Sequence, residues 1–207
     1  METKETRYYR ALYQVAVTIN SSLDPQDVLR SIPESTAKAL GAKGCSIMLL
    51  TPDGRELYHN SAYGLSDWYV RKGPMSVDLS MAEALQGRSV AVLNAASDPR
   101  VQYRSQAATE GIASILSVPI RLRDQVIGVM RVYTAEPRDF GSDEIEFVEA
   151  VASLGAVALR NAREHAEVKA SYEGVRQDLL DWYATWGLER TADALAGGVV
   201  AEGSEVS

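Results

Sequence analysis

Ala113-Ser-Ile-Leu-Ser-Val-Pro-Ile-Arg-Leu-Arg-Asp-Gln-Val-Ile-Gly-Val-Met-Arg-Val-Tyr-Thr134 carries the architecture of this chain. Two long apolar runs rich in β-branched residues flank the pair Arg123-Asp124, which predicts two antiparallel strands over 113–122 and 125–134 joined by a tight turn. Along the second run, residues two apart share a face, so Val129, Arg131 and Tyr133 point one way and Met130 and Val132 the other. The face holding an arginine and a tyrosine is the better candidate for a pocket.

Upstream, residues 44–51 read as a buried strand and 56–63 as its hairpin partner. The turn between them, Thr51-Pro-Asp-Gly54, has a proline presetting one dihedral and a glycine tolerating positive φ. Shorter pieces fill the space between the hairpins: a helix at 66–72, a strand at 75–78, a helix at 81–86, a strand at 90–93, and a helix from Asp98-Pro99 through Ala108 that Gly111 ends. At the front, Tyr8, Leu12, Val15 and Ile19 step by four, three and four residues and form one stripe of a helix. Asp24 is suited to cap a second helix that starts at Pro25 and runs to Leu40. Pro33 falls inside it and predicts a kink, or two short helices.

Phe140-Gly-Ser-Asp-Glu opens a final helix, with Ser142 expected as its cap and two acids in the first turn. From there Leu154, Ala158, Asn161, His165, Val168, Tyr172, Val175, Leu179, Trp182 and Trp186 alternate steps of four and three, the spacing of a coiled-coil seam. Gly187 is expected to stop this helix. A short amphipathic piece carrying Leu188 and Leu195 follows, then a disordered acidic tail at 197–207. The predicted class is α+β: a central antiparallel six-stranded sheet between helical layers, with long N- and C-terminal helices. The expected organisation is an N-terminal helix at 1–21, a globular domain at 22–164, a coiled-coil or helical extension at 165–196, and the tail.

Composition narrows the function. In 207 residues, 21 Lys and Arg stand against 28 Asp and Glu, a net charge of -7, so nucleic acid and anionic membrane surfaces are poor partners. No stretch of about 18 uninterrupted apolar residues is present to span a bilayer, and the mixed charges at the N-terminus do not form an export signal. Cys45 is the single cysteine, which rules out an intrachain disulfide, a cysteine-based zinc cage and a thiol relay. A cytoplasmic location is expected.

An ordered succession of blocks then resembles the signature blocks of GAF domains: Ser22-Leu-Asp-Pro, Ser46-Ile-Met-Leu-Leu, Tyr63-Gly-Leu-Ser, Asn94-Ala-Ala-Ser-Asp-Pro-Arg, Glu110-Gly-Ile-Ala-Ser-Ile-Leu-Ser-Val-Pro-Ile, Val126-Ile-Gly-Val-Met-Arg-Val-Tyr and Phe140-Gly-Ser-Asp-Glu. The resemblance runs over roughly residues 15–164. It implies a GAF-like, PAS-related fold and a small-molecule or cofactor sensor of signalling proteins, dimeric through its terminal helices. The implied pocket lies on the sheet face opposite those helices, roofed by residues 68–106. The ligand-binding candidates are Tyr63, Trp68 and Tyr103, as walls for a flat ligand, with Asn94, Asp98, Gln106, Glu110 and Arg131 as donors and acceptors. An ion pair from Arg131 to Glu110 or Asp98 is the ligand-free alternative.

Particular ligands of the family are disfavoured by what the residues lack. The cyclic-nucleotide pattern of Asn-Lys, Phe and Asp-Glu is missing from 100–119, and the 64–110 stretch holds no Cys or His to anchor a bilin or haem. His59 and His165 stand far apart without a carboxylate motif, and no cofactor is identifiable. Cys45 reads as a small core residue and His59 as a strand residue, while His165 beside Asn161 suits register-setting in the seam. Trp182 and Trp186 suit either that seam or a partner's docking surface. The expected function is therefore a non-enzymatic regulatory sensor that relays ligand binding through a homodimer to a signalling partner in trans. The alternatives are a reductase of free methionine sulfoxide using Cys45, and a ligand-free dimerisation scaffold.

Overall fold

At the centre of the computed structural model, Arg123 takes a φ of +56° and closes the predicted turn, with β5 (Ser114–Leu122) and β6 (Gln125–Thr134) paired antiparallel on either side. The structure describes residues 3–21, 25–77 and 81–196, with side chains as far as Trp182. The other elements are α1 (Lys4–Ser21), α2 (Pro25–Leu40), β1 (Gly44–Leu50), β2 (Glu56–Tyr63), α3 (Asp67–Val70), β3 (Met75–Ser76), α4 (Ala82–Leu85), β4 (Val90–Val92), α5 (Arg104–Glu110) and α6 (Ser142–Ala196). One six-stranded sheet runs in the order β3-β2-β1-β6-β5-β4, and every pair is antiparallel. This is the expected α+β architecture. Two compact units are distinguished, Met1–Ala162 and Arg163–Ser207.

Strand alternation sorts the first unit into two interiors. Cys45, Ile47, Leu116, Val118, Met130 and Val132 join Val15 of α1, Leu29 and Ile32 of α2, and Phe147, Val148 and Val151 of α6 in one apolar cluster. Tyr8 of α1 stacks on Phe147 with ring centroids 4.5 Å apart. The stripe predicted for α1 is thus used within the chain, while Tyr9, Tyr13 and Val17, each four residues apart, remain exposed. Full burial of each Ile or Leu here contributes about 1.5–3 kcal/mol.

Pro33 does not divide α2, which is one helix from Pro25 to Leu40. A proline at 33 has no amide hydrogen for the carbonyl of Leu29, four residues back. Ser61 of β2 replaces it, donating from Oγ to that oxygen at 2.9 Å. Ser61 points toward α2 because the β1/β2 register shifts between Ile47 and Met48: Ile47 pairs with Ser61 and Met48 with His59, leaving Asn60 as the extra residue of a bulge.

Other boundaries depart from expectation for local reasons. No helix starts at Asp98. Asn94 Oδ1 accepts from the Ala96 amide at 3.2 Å and Asp98 Oδ1 from the Arg100 amide at 2.9 Å, and such side-chain turns compete with helix formation. The helix begins at Arg104 and ends as predicted at Gly111, whose φ of +73° favours glycine. Ser142 is the first residue of α6 and not its cap; Glu144 instead reaches back to accept from the Gly141 amide at 3.2 Å and pairs with Arg138. Arg138 also donates to Leu40 O at 2.8 Å, tying the end of α2 to the start of α6. Gly187 does not end α6, which continues to Ala196; one glycine in a helix costs only about 1 kcal/mol. Asp24, Asp78 and the 197–207 tail lie outside the described residues. No described helix is long and apolar enough to cross a membrane.

Candidate functional site

The opposite face of the sheet is polar at its centre. Ser46 and Met48 of β1, Leu57 and His59 of β2, Ser117 of β5, and Val129, Arg131 and Tyr133 of β6 share it through the observed pairings. The roof over it is apolar where it touches the sheet. Tyr69, Val101 and Ala107 gather around Ile115 and Tyr133, while Met75, Met81 and Ala84 gather around Met48, Leu57 and Val129. Arg131 touches both groups and is only 2% exposed. Its Nε donates to Ser117 Oγ at 3.1 Å, its Nη1 lies 3.4 Å from Met75 Sδ, and its guanidinium sits 5.9 Å from the Tyr133 ring centroid. Among the described residues no carboxylate pairs with it. Tyr133 OH is 3.0 Å from Ser46 Oγ.

A second cation approaches from the roof. Lys72, just past α3, holds Nζ 3.6 Å from the Tyr69 ring centroid and 5.6 Å from that of Tyr103, and it donates to Tyr69 O at 3.0 Å. Its Nζ is 3.3 Å from His59 Nε2. Burial, reinforced by the positive charge of Arg131, lowers the Lys72 ammonium to about 7, with Glu110 acting in the opposite sense. Burial, then Lys72 and Arg131, lowers the His59 imidazole to about 3. His59 is thus neutral near pH 7. Its Nδ1 is buried and has no hydrogen-bond partner among the described residues.

The predicted site residues separate into three groups. Arg131 lies at the centre of the polar face. Tyr103 and Glu110 lie beside Lys72: Tyr103 donates its hydroxyl to Pro74 O at 2.9 Å, and Glu110 accepts from both the Ser66 amide, at 2.8 Å, and the Ser66 hydroxyl. The remaining five are elsewhere. Tyr63 pairs with Cys45 and therefore points toward the helical layer, with Lys38 of α2 5.8 Å from its ring centroid; the bulge at Asn60 reverses the parity that simple alternation assigns it. Trp68 is 54% exposed, and the next residue, Tyr69, is the one that α3 turns to the sheet. Asn94 sits in its exposed turn, and Asp98 is paired with Arg100, which holds its carboxyl below the usual range. Gln106 accepts from Ser105. No ion pair joins Arg131 to Glu110 or Asp98 among the described residues.

Sequence reasoning missed Lys72 and the part taken by His59. His59 and Leu57, two apart on β2, share a face, so alternation alone would have put His59 beneath the roof. Nothing in the sequence aims Lys72 inward. Cys45, by contrast, is the expected core residue: it is 0% exposed, burial pushes its thiol up, and it faces the helical layer, across the sheet from Arg131.

A family model for the GAF domain matches residues 22–160. The chain belongs to the GAF-domain family. Its fold is that of solved GAF domains. That of a phosphoenolpyruvate-protein phosphotransferase from Coxiella burnetii superposes with a TM-score of 0.69 at 18% identity, over 78% of this chain and 97% of that one. The free methionine-R-sulfoxide reductase from Neisseria meningitidis, solved with its substrate, superposes with a TM-score of 0.67 at 16% identity, over 80% of this chain and 95% of that one. In sequence, this GAF domain is 25% identical over 174 residues to an uncharacterized sensor-like histidine kinase of Chloroflexus aurantiacus. The match takes in 82% of this chain and 28% of the kinase, so the chain spans little more than a quarter of that relative's length.

Proposed function

We propose that this GAF domain is a non-enzymatic signalling sensor: a small molecule binds between the roof and the polar sheet face, and a homodimer formed by α1 and α6 carries the change to a signalling partner. The observation that carries the reading is the asymmetry of the sheet, whose roof face alone buries an arginine together with serine and tyrosine hydroxyls. A domain that only needed a core would fill both faces with apolar side chains. The sensor-like kinase relative supports a signalling setting.

Dimerisation is supported by two exposed stripes. Val168, Tyr172, Val175, Leu179 and Trp182 follow the seam spacing along α6 and are exposed, and Tyr9, Tyr13 and Val17 are exposed on α1. His165 and Asn161 belong to the same series; the Trp186 side chain lies outside the described residues. Ligand shifts the dimer only if it binds one helix arrangement more tightly than the other. Sedimentation at micromolar concentration is expected to give twice the chain mass, and a mass of one chain overturns the dimer.

The reductase alternative needs a reactive thiol facing the substrate, and Cys45 is instead buried toward the helices. Turnover of free methionine sulfoxide that is lost in Cys45→Ala would overturn the non-enzymatic reading. The scaffold alternative is favoured by the local pairing of Glu110 with Ser66, Asp98 with Arg100 and Gln106 with Ser105. Native mass spectrometry separates it from the sensor: a retained metabolite supports the sensor, and a ligand-free dimer that ignores metabolite extracts supports the scaffold.

A further inference from the structure

The charge of the roofed site points to the chemical class of what it receives. Arg131 is a permanent cation, almost wholly buried, with a serine hydroxyl, a thioether and an aromatic face as its partners. A buried charge is ordinarily paired with one of opposite sign. Lys72 adds a second ammonium against the same face, and its Nζ stands at hydrogen-bond distance from His59 Nε2. When Lys72 is charged it has only donors, so in that state Nε2 accepts and the proton of the neutral ring sits on Nδ1. That N–H is buried with no acceptor among the described residues. Two basic side chains and that donor therefore share the roof face, where Glu110 acts on Lys72 and no carboxylate among the described residues pairs with Arg131. Glu110 is engaged by Ser66 through its amide and hydroxyl, and Asp98 by Arg100.

We propose that the small molecule of this site is an anion whose carboxylate or phosphate oxygens are bound by Arg131, Lys72 and His59, with Tyr69, Tyr103 and Tyr133 beside it. This rests on the reading of the roof face as a ligand site and gives that ligand a charge. The guanidinium offers a planar fork for two oxygens, the ammonium a point charge, and the imidazole a single donor. Chloride satisfies the charge but not the fork, so the site discriminates oxyanions from halide.

The test is thermal unfolding of the full chain titrated with sodium acetate and, separately, inorganic phosphate, each against sodium chloride at equal ionic strength. Native mass spectrometry of the purified protein runs alongside. At an oxyanion concentration ten times its Kd the midpoint is expected to rise by about 3–6 °C over the chloride control. A rise with acetate alone identifies a carboxylate ligand, and one with phosphate alone a phosphate ligand. The rise is expected to be lost in Lys72→Met and in Arg131→Met. Should Arg131→Met fail to fold, Arg131→Lys, which keeps the charge but not the fork, is expected to reduce the response at least tenfold in Kd. Equal midpoints in acetate, phosphate and chloride overturn the proposal, and so does a rise that survives undiminished in Lys72→Met. A neutral molecule retained in the native spectrum overturns the anion but upholds the sensor. Absence of both a retained molecule and any response overturns the two together.

Discussion

Met130 and Arg131 are neighbours on one strand, both buried, and they belong to different interiors. Met130 joins the cluster under α1, α2 and α6, where nearly every contact is apolar. Arg131 lies under the roof among hydroxyls, a thioether, aromatic rings and a second cation. The helical interior is closed by long helices whose residues fill it. The roof is made of short pieces, four residues each in α3 and α4. Polar groups brought beneath such a cover are held by side chains and turns, so one interior is closed by apolar packing and the other also encloses hydrogen-bonded and charged groups.

That contrast can be broken from either side. The largest effect is expected from Ile47→Ala on the helical face, a loss of about 2–5 kcal/mol in denaturant unfolding, because the surrounding helices relax only in part around the cavity. Next is Ser61→Ala, which strips the hydroxyl donor from the Leu29 carbonyl and should cost about 1–3 kcal/mol. Adding Pro33→Ala restores an amide for that carbonyl, so the double variant is expected to recover most of the loss. If the two substitutions are simply additive, the bulge and the proline are unrelated.

Arg131→Met on the roof face is expected to leave unfolding stability unchanged or raised by about 1 kcal/mol or more, since apolar replacement of a buried charge removes its desolvation cost. A loss as large as that of Ile47→Ala would erase the distinction between the two interiors. The smallest effect is the pH dependence traced to Lys72. Its ammonium titrates near 7 in the folded chain against an ordinary 10.5. Between those values the unfolded chain binds a proton that the folded chain has released, so stability climbs as pH rises through this window and falls as pH drops toward 7. Lys72→Met should flatten that slope relative to the parent. The groups facing Lys72 are His59, Tyr69, Tyr103, Glu110 and Arg131. Of these His59, held down to about 3 from an ordinary 6.5, adds a loss of stability as pH falls from 6.5 toward 3.

Much of the scaffold was legible because its signals are periodic and local. The 125–134 strand and the 56–63 strand match their predicted bounds, and period-two alternation placed Arg131 and Tyr133 opposite Met130 and Val132. Failures came where a distant partner or a local side chain overruled the pattern. Ser61 supplied what Pro33 lacked, turns at Asn94 and Asp98 displaced a helix start, and one bulge carried Tyr63 to the far side of the sheet. Of the aromatic candidates, Trp68 yielded its place to Tyr69 because a one-turn helix gives no period long enough to read.

By itself the sequence determined the layered α+β plan, the family and the face on which polar groups lie. The plan and the polar face follow from spacing along the chain, which backbone geometry converts directly into faces and stripes, and the family from the ordered succession of its motif blocks. Only the tertiary structure decided that Lys72 and His59 stand together on the face of Arg131 and that Cys45 looks the other way. Those meetings depend on a bulge and on loops crossing over a sheet, and a charge left without a counter-charge is visible only once every neighbour has been placed.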